Sequence, residues 1–262
     1  MFSELTPFYP LLVPFLLVLF RLLGLFAFVP FFSNSSIPAN VKVLLALSIT
    51  FCVWNVVPDL RGAAIRVPTN LIDLTVSIAG EMSVGLLIGM MVGCVFLGVQ
   101  LGGHLVSQQM GLSLANLYDP SFEDQSTIIE QVAFWIALVA FLAMGGHREL
   151  LSAVVYSYRT VPLGSGGLSP ELMLQVTCGS LNAAFHAATR VGMPALVAFF
   201  ISTLTSGLMT RAMPQLAMMH LGITLNLVLG FVMVMMGLTG WAVVSTESFQ
   251  SMMGTLGRLL GA

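Results

Sequence analysis

The chain is 262 residues long, 57% hydrophobic and only 8% charged, with a formal net charge of -2. An ordinary soluble domain carries roughly 25% charged residues, so this composition, with a mean hydropathy of +0.98, points to a polytopic helical membrane protein. The near-neutral balance and the absence of basic clusters argue against nucleic acid or a polybasic lipid anchor as partner.

The first charge is the acidic Glu4 and no small-residue cleavage site follows, so the segment from Leu11 is expected to be a retained first helix, not a cleaved signal. Pro7, Pro10 and Pro14 make its entry irregular, and it runs to about Phe28, carries Arg21, and stops at Pro30. The breaker cluster from Ser33 to Pro38 precedes a second, short helix, Val41 to Val57. Pro58 to Asn70 is polar. From Leu71 the helical pattern continues to about Val106, with Asp73 and Glu81 in its first third. Ser77, Glu81, Gly85, Gly89 and Gly93 fall four apart along it and stack on one ridge. Small residues at that spacing predict a close helix–helix seam, and a carboxylate at membrane depth predicts a partner or a wet cavity beside Glu81.

The stretch Ser107 to Ser126 is the irregular element of the chain. Nothing from Met82 to Tyr118 is formally charged, and the run Gln131 to Gly146 is again charge-free. The stretch itself carries Gly111, the turn Asp119-Pro120 and several acids. Such backbone cannot lie bare in hydrocarbon, so it emerges into water or is enclosed by protein. Ile128 to Met144 is the fourth helix, broken by Gly145-Gly146. Arg148 to Tyr158 is a short further helix, and Val161 to Ser169 a glycine-rich loop. Ser169-Pro170-Glu171 reads as an N-cap, a first-turn proline and a first-turn acid. The helix it opens runs to about Met209, with Pro194 as a candidate kink. After the break at Thr210 to Gln215, the last apolar run extends to Thr246, with Gly222, Asn226 and Gly230 four apart, and a short amphipathic piece bearing Arg258 follows. Residues 1–262 read as one integral-membrane domain. In a six-helix arrangement the positive-inside rule puts both termini in the cytoplasm and the acidic central loop outside.

Catalytic patterns are missing. His104, His147, His186 and His220 are scattered without ligand spacing, and Cys52, Cys94 and Cys178 form no CxxC pair, so no metal site or disulfide framework follows. Serine-hydrolase elbows and phosphate-binding glycine loops are absent too. No cofactor is expected, and an enzyme is not. A small-solute transporter using Glu81 and Arg190 is the rival reading.

Several short motifs occur in order: Arg21 with Phe31-Phe32, Ile37-Pro38-Ala39, Gln109-Met110-Gly111-Leu112, Leu117-Tyr118-Asp119-Pro120, Arg211-Ala212-Met213-Pro214-Gln215, then Gly222. In this order and spacing the chain resembles the FliR family of the flagellar protein-export gate, whose superfamily includes a subunit of virulence type III secretion systems. Gln109-Met110-Gly111 is similar to the flagellar form. The chain departs from the family at Thr210, Ala217 and Asn226.

The resemblance implies an all-α membrane protein of about six long, kinked hydrophobic helices, arranged as hairpins in a helical export-gate assembly, much of it above the membrane plane. It implies partners of the FliP and FliQ type in several copies, FlhB- and FlhA-type export proteins, and unfolded export substrates, in the bacterial inner membrane at the flagellar basal body. Gln109, Met110, Gly111, Leu112, Leu114, Leu117, Tyr118, Asp119 and Pro120 would form the pore plug. Glu81, Gly85, Gly89, Gly93, Arg211, Pro214 and Gln215 would serve helix packing and interfaces. The virulence-type secretion gate remains the alternative within the superfamily.

Overall fold

The computed structural model describes residues 9–30, 38–56, 71–112, 127–164, 168–212 and 218–260. Among the described residues there are seven helices: α1 (Tyr9–Phe28), α2 (Ala39–Val56), α3 (Leu71–Gln109), α4 (Ile128–Ala143), α5 (Gly146–Thr160), α6 (Pro170–Ala212) and α7 (Met218–Leu260). Among the described residues there is no strand. The class is all-α, as expected, with seven described helices against about six that the resemblance implies. α3, α6 and α7 are each long and apolar enough to cross a membrane, and α4 with α5 makes a fourth candidate span bent by 66°. At about 1.5 Å per residue, α6 and α7, of 43 residues each, are about twice the length needed for a hydrocarbon core of roughly 30 Å.

Local chemistry sets the helix ends. Gly145, at φ +75°, adopts the left-handed conformation that a side chain disfavours, and it turns the chain between α4 and α5. Its carbonyl then accepts from Arg148 N at 2.8 Å, starting α5. Ser169 accepts from Met173 N at 3.0 Å, so α6 opens with Pro170, whose missing N–H costs nothing there. Pro194 lies inside α6. The tail is not a separate piece: α7 continues unbroken to Leu260. Ser245 and Thr246, which read as a polar end, donate back to the carbonyls of Trp241 (2.7 Å) and Val243 (2.8 Å) and stay in the helix.

The chain divides into two compact units. The first comprises residues 1–94, 145–181 and 251–262; the second comprises 95–144 and 182–250. In the first, α2 packs on α1, with Phe15 and Trp54 edge to face at 6.2 Å. α1 buries Leu17, Val18, Leu22 and Leu25 completely and runs against the glycine ridge of α3. A Cβ on Gly85 would overlap the Arg21 carbonyl oxygen. One on Gly89 would stand 2.5 Å from the Leu25 carbonyl oxygen, and one on Gly93 2.7 Å from that of Phe28. The approach is reciprocal, since a Cβ on Gly24 would meet the Met82 carbonyl oxygen at 2.5 Å. In the second unit Gly98 and Gly102 of α3 receive Ala184 and Val191 of α6, while Gly103 faces Ala133 of α4. Phe96 sits among Phe134, Phe141 and Phe249, with centroids 4.9 to 5.9 Å away.

The seam makes a direct prediction. Gly85→Ala, which must push the two backbones apart, is expected to destabilise the purified chain by about 1–3 kcal/mol. Gly179→Ala, which meets nothing within 4 Å, is expected to be neutral or to stabilise by up to about 1 kcal/mol through helix propensity. Unfolding curves in detergent check both, and equal midpoints for the two variants would refute the close seam.

Candidate functional sites

Two polar constructions stand out. The first is in the core of the first unit, where Arg21 is fully buried and Glu81 is 2% exposed. The α1–α3 seam brings them together: Arg21 Nε donates to Glu81 Oε2 at 2.7 Å, and Arg21 Nη2 lies 2.6 Å from the same oxygen. α5 supplies the other acceptors. Arg21 Nη1 donates to Ser157 Oγ at 3.0 Å, and that hydroxyl passes its own hydrogen to the Val154 carbonyl at 2.6 Å. Arg21 Nη2 donates to the carbonyl of Val161, the C-cap of α5. Helix-end carbonyls lack an intrahelical donor, and here the guanidinium provides it. The remaining Glu81 oxygen accepts from Gly164 N at 3.0 Å, where φ of +75° favours glycine. The Tyr158 ring lies under the guanidinium at 4.4 Å, a cation–π contact that adds attraction where water is excluded.

The second construction is in the second unit, at the C-terminal end of α3. The α-helix ends at Gln109. Met110 N still donates to Val106 O at 3.1 Å, and Gly111, at φ +80°, donates to Gln108 O at 3.1 Å. Met110 is fully buried, its side chain filling the notch that the missing Cβ of Gly230 leaves on α7. Gln109 is exposed, and Gly111 and Leu112 are half-buried. On the preceding turns His104 contacts Glu130 of α4 and lies 2.8 Å from Gln108 Nε2. The expected plug residues Leu114, Leu117, Tyr118, Asp119 and Pro120 lie outside the described residues, as do Pro214, Gln215 and the side chain of Arg211.

Of the residues singled out in the sequence, the structure joins Gly85, Gly89 and Gly93 to α1 and Glu81 to Arg21. Arg190 is paired with Glu247 at 2.6 Å. Asn226 accepts from Ser202 of α6 at 2.8 Å. The cysteines are free, and among the described residues no cluster of His, Cys, Asp and Glu could hold a metal ion. The sequence reading missed the partner of Glu81. The signal was present: Arg21 is the sole formal charge between Glu4 and Lys42, and Glu81 the sole one between Asp73 and Asp119. Two isolated opposite charges inside apolar helices need each other.

Removing one member of a buried ion pair strands the other, at about 3–5 kcal/mol. Glu81→Leu is therefore expected to destabilise the purified chain on that scale. Glu81→Gln should do so less, since its amide oxygen still accepts from Arg21 or Gly164. The double variant Arg21→Leu/Glu81→Leu should cost well under the sum of the single changes. Additive losses in a double-mutant cycle would show that the two groups do not stabilise each other.

Residues 12–252 match the family model described as bacterial export proteins, family 1. Among curated relatives, the flagellar biosynthetic protein FliR of Escherichia coli K12 is 30% identical over 81% of this chain and 79% of its own length. That of Bacillus subtilis is 26% identical over 94% of both chains, and that of Aquifex aeolicus 23% identical over 91% of this chain and 90% of its own. With a family model matched over residues 12–252 and relatives similar over most of their length, this chain belongs to the FliR family of bacterial export proteins.

Proposed function

We propose that the chain is a non-enzymatic pore subunit of a flagellar type III protein-export gate, in which the segment Gln109 to Pro120 plugs the channel for unfolded flagellar proteins. The observation that carries the reading is the family match across residues 12–252, with relatives named for flagellar biosynthesis. In this reading FliP- and FliQ-type subunits surround it in several copies, FlhB- and FlhA-type proteins act with it, and the assembly sits in the inner membrane at the basal body. The flagellar-type Gln109-Met110-Gly111 favours this branch over the virulence-type gate.

The geometry at the end of α3 supports the plug role. A plug needs a fixed root and a point where the chain leaves the helix. Met110, locked against Gly230, serves as the root, and Gly111 with its left-handed backbone is the departure point. Apolar side chains beyond it, Leu112, Leu114 and Leu117, would exclude water and ions, as hydrophobic constrictions do. A transporter reading fares less well. Glu81 is saturated by Arg21 and Gly164, and a charge so engaged is poorly placed to bind a passing solute.

Deleting Ser113 to Leu117 spares both root and departure point. The shortened chain is expected to insert and to co-purify with the two smaller helical subunits, while cells carrying it become permeable to small ions and solutes. Solute-influx or conductance measurements decide. An assembled deletion complex with no added permeability would overturn the plug role, and a chain that purifies only by itself would overturn the gate assignment.

A further inference from the structure

A crevice of about 110 Å³ runs between α6 and α7 of the second unit, with Val106 of α3 also in its wall. Val191 and Ala195 of α6 and Val234, Trp241 and Val244 of α7 line it with buried apolar side chains. Its width comes from missing side chains. A Cβ on Gly240 would meet nothing within 4 Å, and one on Gly237 would meet the Trp241 indole, with Nε1 nearest at 3.3 Å. Water in such a space finds too few polar partners to be held, so the fitting occupant is apolar.

The crevice ends at a charged pair. Arg190 is the first of its α6 lining residues, and Glu247, which it bonds, lies just beyond Val244, the last on α7. The two side chains are 42% and 51% exposed. Their bond uses Nη1 of a guanidinium that has five N–H donors, so both partners still offer polar groups outward. Sequence places this pair at the level of lipid headgroups. Residues 191–210, between Arg190 and Arg211, carry no formal charge, and at about 1.5 Å each they cover about 30 Å, the thickness of a hydrocarbon core. α7 is likewise free of formal charge up to Glu247. The crevice runs inward from the pair: from Val244 to Met233 its α7 wall covers roughly 16 Å, close to the depth of one leaflet.

We propose that the α6–α7 crevice binds one acyl chain of a membrane phospholipid whose headgroup joins a phosphate to a primary amine. The acyl chain fills the space beside Gly237 and Gly240, the Arg190 guanidinium donates to the phosphate, and the amine donates to Glu247. A headgroup of paired opposite charges suits a site of paired opposite charges, whereas a purely anionic one would meet Glu247 unfavourably. The site is independent of the plug role.

Native mass spectrometry of the purified full-length chain, titrated in detergent with phosphatidylethanolamine or phosphatidylcholine, tests it. One retained lipid is expected. Phosphatidylethanolamine should bind about three- to tenfold more tightly than phosphatidylcholine, whose methylated amine has no N–H for Glu247, the worth of one charged hydrogen bond at a partly exposed site. Glu247→Ala should erase that preference while a lipid is still retained. Gly240→Leu, whose side chain enters open space, should weaken phosphatidylethanolamine binding by about tenfold or more, because it takes the acyl chain's place. The proposal is overturned if the wild-type chain retains no lipid or binds the two lipids equally. It is also overturned if Gly240→Leu binds as tightly as wild type or the preference survives Glu247→Ala.

Discussion

A buried arginine is the demand around which the first unit is arranged. Desolvating a guanidinium and a carboxylate costs several kcal/mol each, and their attraction offsets this only when the remaining donors and acceptors are also met. Arg21 reaches that state by drawing on three pieces of chain: Glu81 from α3, Ser157 and the Val161 carbonyl from α5, and, through Glu81, the amide of Gly164. Two of these have a backbone reason to be available. Val161 is a C-cap with a free carbonyl, and Gly164 can take the left-handed turn that points its N–H inward. The ion pair thus fixes how α1, α3 and the end of α5 meet.

The same residue also sets the helix spacing. Arg21 sends its side chain to Glu81, and its carbonyl oxygen lies where a Cβ on Gly85 would be. Glu81 and Gly85 are one helical turn apart on the ridge of α3. A side chain at position 85 would therefore move the backbone that aims the guanidinium, and packing and electrostatics fail together. In a membrane-type fold, where lipid offers no hydrophobic drive for helices to meet, this coupling of close backbone approach with a satisfied ion pair is a physical reason for α1 and α3 to associate at one register.

Local patterns in the sequence were legible, and pairings were not. The helices at residues 9–28, 39–56 and 128–143, the break at Gly145 and the opening at Ser169-Pro170 follow from proline, glycine and apolar runs, whose effects act within a turn or two. The ridge at Gly85, Gly89 and Gly93 was visible because its period is that of one helix face. Its partner was not, since spacing says that something approaches but not what. The second seam is not legible as a single ridge because Gly98, Gly102 and Gly103 serve two faces at once, α6 and α4. The apolar run of α7 ends near Thr246, where Ser245, Thr246 and Glu247 follow one another, yet the helix continues to Leu260. In the helix those hydroxyls find carbonyls of the preceding turn, and Glu247 finds Arg190, so nothing polar forces an end.

The ridge Gly222, Asn226, Gly230 on α7 shows how one spacing can serve unlike contacts. Asn226 accepts a hydrogen bond from Ser202 of α6, while Gly230 gives up its side-chain space to Met110 of α3. The second contact bears on the motif Gln109 to Pro120. With Met110 fully buried, the motif has an anchor at Met110, fixed by packing against α7, and leaves the helix at Gly111. Under the proposed reading the sealing contacts then fall to Leu112, Leu114 and Leu117, and Met110 keeps its place in the core of the unit whether the channel is open or shut. A gate built this way separates the two requirements on its moving segment. The anchor is stabilised by the burial that stabilises the fold, so the seal itself can be weak enough to yield to a passing chain.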